Sequence, residues 1–296
     1  MSRLGLLLLT WLTVVPALAG PPRLLASIAP LHGIAAAVGA GRAEVARLFP
    51  PDRSPHLHAL RPSEARRLAA AELVVWIGPM LETALARALP RLAAGAEVVT
   101  VAELPGLRRL PRRVGHQDAA RAGLDPHLWL DPDNGRRIAR ALAERLVRRD
   151  PAGAEIYRRN LARFEARLDA VVAQLRARLA PVRDRPFLLA HDSLQYFERA
   201  FGLAGLGAVS VSPELPPGAR GLLELLARAR GAGVVCVFAE PQLDRRRVER
   251  LAERLGARIG TVDPLGRDIA PGPDFYPELL RRVGESVRAC LAVSGQ

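Results

Sequence analysis

The 296-residue sequence predicts an α/β protein made of two open, mostly parallel α/β lobes joined by a long rigid α-helix. Three observations predict it. Short apolar runs alternate with segments of helical period in both halves of the chain, which is the pattern of strands joined by helical crossovers. Runs such as Leu73–Ile77 and Val234–Phe238 are apolar without alternation, so they suit parallel strands covered on both faces. Between the halves, Ile156, Leu161, Phe164, Leu168, Val171, Val172, Leu175 and Leu179 recur at helical spacing with arginine and glutamate between them. The boundaries read as a signal peptide over 1–19, an N-terminal α/β lobe over 20–150, a linker helix over 151–180 and a C-terminal α/β lobe over 181–296.

In chain order, residues 26–31 start a strand and a helix follows from His32 to about Val38. Glu44–Phe49 is the next strand, closed by Pro50-Pro51. Prolines stiffen the loop around Ser54-Pro55-His56. A helix runs from Pro62 or Ser63 through Ala70, a strand over Leu73–Ile77, a helix over Leu81–Leu92 and a strand over Glu97–Val101. Residues 105–124 are Arg- and Gly-rich and read as a surface loop. Asp125 and Asp131 each precede a proline, which biases both away from helix and brackets an extended segment around His127. A helix covers Asn134–Arg148 before the linker, which spans roughly 40 Å at about 1.5 Å per residue. The second half repeats the alternation. Strands are expected at Phe187–Ala190, Gly207–Val211, Val234–Phe238 and Arg258–Val262. Helices are expected through Phe201, over Pro217–Arg230, from the Asp244 cap to Leu255, and over Tyr276–Ala292.

Arg3, the apolar run Leu4–Val15 and Ala17-Leu18-Ala19 have the pattern of a secretory signal cut near Gly20. No later segment approaches the roughly 20 apolar residues of a membrane span, so an exported soluble protein is expected. The formal charge is +13, all of its cations arginine. Those arginines lie beside acids on helix faces, with few aromatics among them to stack bases, so a salt-bridged surface is expected and no nucleic acid partner. Cys236 and Cys290 are the only cysteines, and in an exported chain such a pair is a candidate disulfide tying the last helix to a buried strand.

Chemistry is concentrated at strand ends. His56 follows a strand, His127 sits in the seam between the halves, His191 ends a strand, and Asp263 lies just past another. Open α/β sheets bind ligands at the carboxyl ends of their strands. Three imidazoles and a carboxylate would form a tetrahedral set suited to zinc. Spacing alone leaves a structural role for these residues open. They are scattered over the chain, and no local motif such as H-E-x-x-H occurs.

The chain resembles the metal-binding component of bacterial metal ABC importers, in particular the zinc-binding proteins of the ZnuA type. The likeness rests on Ser54-Pro55-His56 with Leu60-Arg61-Pro62-Ser63, and on the run from Asp125 to Pro132. It rests further on His191-Asp192 with Tyr196-Phe197, on Phe238-Ala239-Glu240-Pro241-Gln242, and on Asp263-Pro264-Leu265-Gly266. The resemblance implies a periplasmic receptor with Zn(II) between the lobes and His56, His127 and His191 as ligands. In the family the fourth ligand is an acid of the C-terminal lobe or water, and Asp263 is the matching candidate. It also implies an ABC importer permease as membrane partner, a periplasmic metallochaperone as a further candidate partner, a monomer, and a Cys236–Cys290 disulfide. The sequence departs from many zinc-binding relatives in two ways. Its 105–124 segment holds only His116 and Asp118 where they carry a His- and acid-rich loop, and His58 replaces an aromatic residue.

Glu240 is expected to hydrogen-bond a ligating imidazole or to serve structure rather than to bind metal. His58 and His32 are expected to be structural rather than ligands. Two rival functions remain: a manganese or iron receptor of the same fold, and an exported zinc hydrolase using Glu240 or Asp192 as base. Imidazole ligands favour zinc over manganese, and a fourth protein ligand would close the open position that a hydrolase needs.

Overall fold

A computed structural model describes residues 20–113, 123–210 and 219–292. The signal segment 1–19 and His116 lie outside the described residues.

Two four-stranded sheets form, and every strand pair in both is parallel. The first contains β1 (Arg23–Ala26), β2 (Glu44–Arg47), β3 (Leu73–Trp76) and β4 (Glu97–Thr100), in the order β2-β1-β3-β4. Its crossovers are α1 (Ala29–Gly39), α2 (Pro62–Ala69) and α3 (Thr83–Leu92). The second contains β5 (Phe187–His191), β6 (Gly205–Ser210), β7 (Cys236–Ala239) and β8 (Arg258–Thr261), in the order β6-β5-β7-β8. Its crossovers are α6 (Gln195–Phe201), α7 (Ala219–Gly231) and α8 (Arg245–Leu255). The two orders are the same topology, although the sequence shows no internal repeat. Central strands β3 and β7 are buried at every position, as their unbroken apolar runs require.

Two local expectations change. The strand expected at 26–31 ends at Ala26, and α1 begins at Ala29 with Pro30 in its first turn. Proline's fixed φ suits that position, and its missing N–H costs nothing there. The segment bracketed by Asp125 and Asp131 is not extended throughout. Leu128–Leu130 form one 3-10 turn, closed by the Leu130 N–H to the His127 carbonyl. The Asp125 side chain accepts the His127 backbone N–H at 3.0 Å and so holds the entry to that turn. Asp131 then caps α4 (Pro132–Arg149) by accepting the Asp133 N–H.

The linker is α5 (Ala154–Leu179), 26 residues and thus about 39 Å long. Its first half is tied to the N-terminal lobe, where Asn160 Nδ2 donates to the carbonyls of Val38 and Ala40 at the end of α1. Its second half packs on α9 (Phe275–Leu291), with Leu175 lying against Gly284. The start of α9 reaches back into the first lobe. Gly33 of α1 leaves room for the Phe275 ring, a carbon of which would lie only 2.7 Å from a Cβ there. Tyr276 Oη donates to the Trp129 carbonyl at 2.6 Å. One continuous apolar core therefore joins both sheets through α1, α4, α5 and α9, while a smaller one lies between the second sheet and α7 and α8. A shared core resists hinge opening, because separating the lobes would expose apolar surface.

Cys236 of β7 and Cys290 of α9 form a disulfide, with Cα atoms 6.1 Å apart. It pins α9 to the centre of the second sheet.

Candidate metal centre

Three imidazoles meet between the lobes. His56 comes from the proline-rich loop after β2, His127 from the residue before the 3-10 turn, and His191 from the last position of β5. Their ring centroids are 5.6 Å apart for His56 and His127, 5.3 Å for His56 and His191, and 4.9 Å for His127 and His191. One nitrogen from each ring lies within 4.8 Å of the other two. Some point then lies within about 2.8 Å of all three, so inward shifts under about 1 Å would reach the Zn–N distance of 2.0–2.1 Å. The enclosed space is about 20 Å³, lined also by Trp129, Glu240 and Leu265. That volume admits one water-sized species.

Two rings have one nitrogen committed and the other turned inward. His127 Nδ1 lies 2.8 Å from Asp125 Oδ1. His191 Nδ1 lies 3.2 Å from Glu240 Oε1, which also accepts the Ser193 hydroxyl at 2.6 Å. The opposite nitrogen of His191, Nε2, is buried without a hydrogen-bond partner among the described residues. An orphaned, buried lone pair is costly unless something coordinates it. Carboxylates that fix the far side of a ligating imidazole set its tautomer and raise its basicity.

Electrostatics separates the three rings. Burial holds the His56 pKa well below the ordinary value, and the neighbouring His127, His191 and Arg112 push the same way. His56 therefore stays neutral, the form that ligates. Burial also lowers His191, but the Glu240 charge and hydrogen bond outweigh it and leave the pKa raised. Burial would raise Glu240, yet His191 and Ser193 hold it below the usual carboxylate range. His191 and Glu240 thus form a buried, charge-assisted pair.

Of the four residues read as a ligand set, the structure brings together His56, His127 and His191 and leaves Asp263 out. Asp263 Oδ1 accepts the Leu265 N–H at 3.0 Å and the Gln242 amide at 2.9 Å, while Oδ2 accepts the Arg267 N–H at 2.6 Å. Three donors hold the carboxylate, two of them backbone N–H groups of the turn after β8. Glu240 sits where a strand-end carboxylate backing His191 was expected. His58 turns away, with Nε2 on the Glu64 carboxylate at 2.9 and 3.0 Å and its ring 4.4 Å from that of Phe49. His32 faces β2, beside the Val45 backbone and the Arg47 charge, rather than the cavity.

Sequence reasoning missed Asp125, Ser193, Gln195 and Arg113. Asp125 carried a signal, since Asp-Pro-His places a carboxylate two residues before a histidine, where an Asx-type turn folds it onto that backbone. The others contact partners from the opposite half of the chain, or 47 residues away in the case of Ser193, and no local pattern marks them.

Two similar parallel sheets, a helical spine and a metal-sized cavity between the halves define a two-lobed binding protein that holds a small ion at its lobe boundary. Residues 24–290 match the family described as zinc-uptake complex component A, periplasmic. The chain belongs to that family. It is 33% identical to the high-affinity zinc uptake system protein ZnuA of Brucella suis, with 90% of each chain covered. It is also 33% identical to the protein of that name from Yersinia pestis, again over 90% of each. Among solved structures, a zinc-bound ZnuA deletion mutant is similar at a TM-score of 0.80 and 26% identity, covering 93% of this chain and 100% of that one. The periplasmic zinc-binding protein TroA from Treponema pallidum shares the fold at a TM-score of 0.80 and 23% identity, with 93% and 100% covered.

Proposed function

We propose that this protein captures Zn(II) in the periplasm and delivers it to the permease of an ABC importer. The convergence of three imidazole nitrogens within 4.8 Å of one another carries this reading. His56, His127 and His191 are the proposed ligands. The fourth position goes to water or to an acid of the C-terminal lobe, where Asp263 is hydrogen-bonded in its own turn and Glu240 to His191 and Ser193. A donor set of imidazoles favours zinc over manganese, which prefers oxygen. Capture rather than catalysis is the reading that the family supports, since its members serve metal uptake. Residues 1–19 fit export through a cleaved signal peptide.

Elemental analysis of protein purified without added metal, followed by competitive zinc titration of the apo form, tests the proposal. One zinc per chain that disappears in His127→Ala is the expected result. A tightly held manganese or iron, or zinc retained without His127, would overturn it.

A further inference from the structure

Polar contacts between the lobes crowd onto one short element beside the cavity. Residues 110–113 run along α6. The Leu110 N–H donates to Tyr196 Oη at 2.9 Å, and Gln195 Nε2 donates to the Pro111 carbonyl at 2.9 Å. Arg113 reaches furthest. Its Nε donates to both oxygens of Asp192 at 3.0 Å, and its Nη2 also bonds Asp192 Oδ1. Its Nη1 and Nη2 donate to the two oxygens of Glu198 at 2.6 and 3.0 Å. Both carboxylates are buried. A planar guanidinium with five donors can satisfy two carboxylates at once, whereas an ammonium is a point charge.

Asp192 directly follows the proposed ligand His191, and α6 also reaches the second ring. Gln195 Nε2 donates to Asp125 Oδ2 at 3.0 Å, while the other oxygen of Asp125 holds His127 Nδ1. Tyr196 Oη donates to the Asp125 carbonyl at 3.1 Å. The supports of His127 and His191 are therefore joined through one helix and one arginine.

We propose that Arg113 is a positioning residue for metal exchange. By binding Asp192 and Glu198 across the lobe boundary it holds His191 against His127 and His56, and the ion leaves only when that contact opens. Removing the guanidinium would leave two buried carboxylates facing each other without a counter-charge. Truncating one partner of a buried charge pair acts mainly on dissociation. The inference rests on the reading of the site as a metal-capturing one and adds which residue governs release.

The test is stopped-flow release of zinc from the loaded full chain into excess chelator, with apo melting temperatures measured in parallel. Arg113→Ala should release zinc about tenfold faster or more, the scale of a lost orienting partner. Arg113→Lys should fall between it and the wild type. Asn160→Ala, which loosens α5 far from the cavity, should release at the wild-type rate even where its melting temperature falls as much. Wild-type release from Arg113→Ala, or equally fast release from Asn160→Ala, would overturn the proposal. If Arg113→Ala does not fold, Glu198→Gln serves: faster release is expected, and an unchanged rate would overturn it. Wild-type protein that takes up no zinc would sink the proposed function and this inference with it. Zinc held by the wild type and released at one rate from every variant would sink only the role of Arg113.

Discussion

At the carboxyl ends of β1 and β3, where the strand order of the first sheet reverses, Ser27 and Glu82 close the crevice. Glu82 accepts the N–H groups of Ile77 and Gly78 at 2.9 and 3.0 Å and the Ser27 hydroxyl as well. At the corresponding ends of β5 and β7 in the second sheet stand His191 and Glu240, with Ser193 hydrogen-bonded to the glutamate. Both crevices hold a buried glutamate that accepts a serine hydroxyl. In the first, backbone donors hold the carboxylate, and no imidazole stands beside it among the described residues. In the second, an imidazole takes that place and directs its other nitrogen into the cavity. Open α/β sheets offer a ligand position at such a reversal. Which reversal is used depends on whether local donors have already consumed its polar atoms.

His191→Ala should break this contrast most completely. It removes the proposed ligand at the end of β5, and zinc affinity should fall by more than about a hundredfold, beyond the loss of an orienting partner. Isothermal titration checks it, and retained affinity would show that the crevices differ less than their geometry does. Next, the second lobe alone carries a cross-link. Replacing Cys236 and Cys290 together with serine should cost about 4 kcal/mol on the loop-entropy model, read as a lower urea midpoint of the apo protein.

The glutamates should also differ in their response to pH. Burial pushes Glu82 up to about 7, against the opposing hydrogen bonds from Ser27 and the backbone. A carboxyl raised on folding contributes its stability in full below the unfolded value of 4.5 and loses it as pH rises through about 7. Glu82→Gln should therefore remove a decline of up to about 3 kcal/mol in apo stability across that window. Neutral His56 has the opposite sign. Its contribution is complete above 6.5 and is lost as pH falls toward its depressed folded value. Zinc affinity should fall below about pH 6, as protons compete for the imidazoles and first for His191, whose pKa is raised beside Glu240. That fall should persist in Glu82→Gln, which urea melts and titrations across pH would show.

The smallest effect sharpens the comparison best. Glu240→Gln should weaken zinc binding by about ten- to a hundredfold, because it disturbs the His191 tautomer and not the ligand count. Glu82→Gln should leave zinc binding unchanged. Equal losses in both would mean that the first crevice also communicates with the cavity.

Periodicity made the strand–helix alternation legible, because burial on both faces demands unbroken apolar runs such as Leu73–Trp76 and Cys236–Ala239. The capping pattern marked Asp244 as a helix start, since its carboxylate accepts the N–H group two residues on, whereas Asp131 emerged as a cap only in the structure. His56, His127 and His191 were visible as a set because each lies beside or at the end of a strand or proline-bounded turn. For Asp263 the sequence leaves the role open, because a strand-end carboxylate looks the same in sequence whether it faces a cavity or closes its own turn. The direction of His58 was not legible, because a period of two would put it on the face of His56, and it is the Glu64 carboxylate and the Phe49 ring that hold it elsewhere.

The sequence by itself determined the strand–helix alternation of the two lobes and the helical spine, since each follows from interactions within a short stretch of chain, and it singled out the three histidines only as candidates. Only the tertiary structure decided that both sheets share one topology and one core, that Asp125 and Glu240 back two of the imidazoles, that Arg113 spans to Asp192 and Glu198, and that Asp263 stands aside. Those outcomes depend on donors and acceptors brought together from distant parts of the chain. A hydrogen bond forms only where distance and direction agree within a few tenths of an ångström, and no spacing along a sequence encodes that.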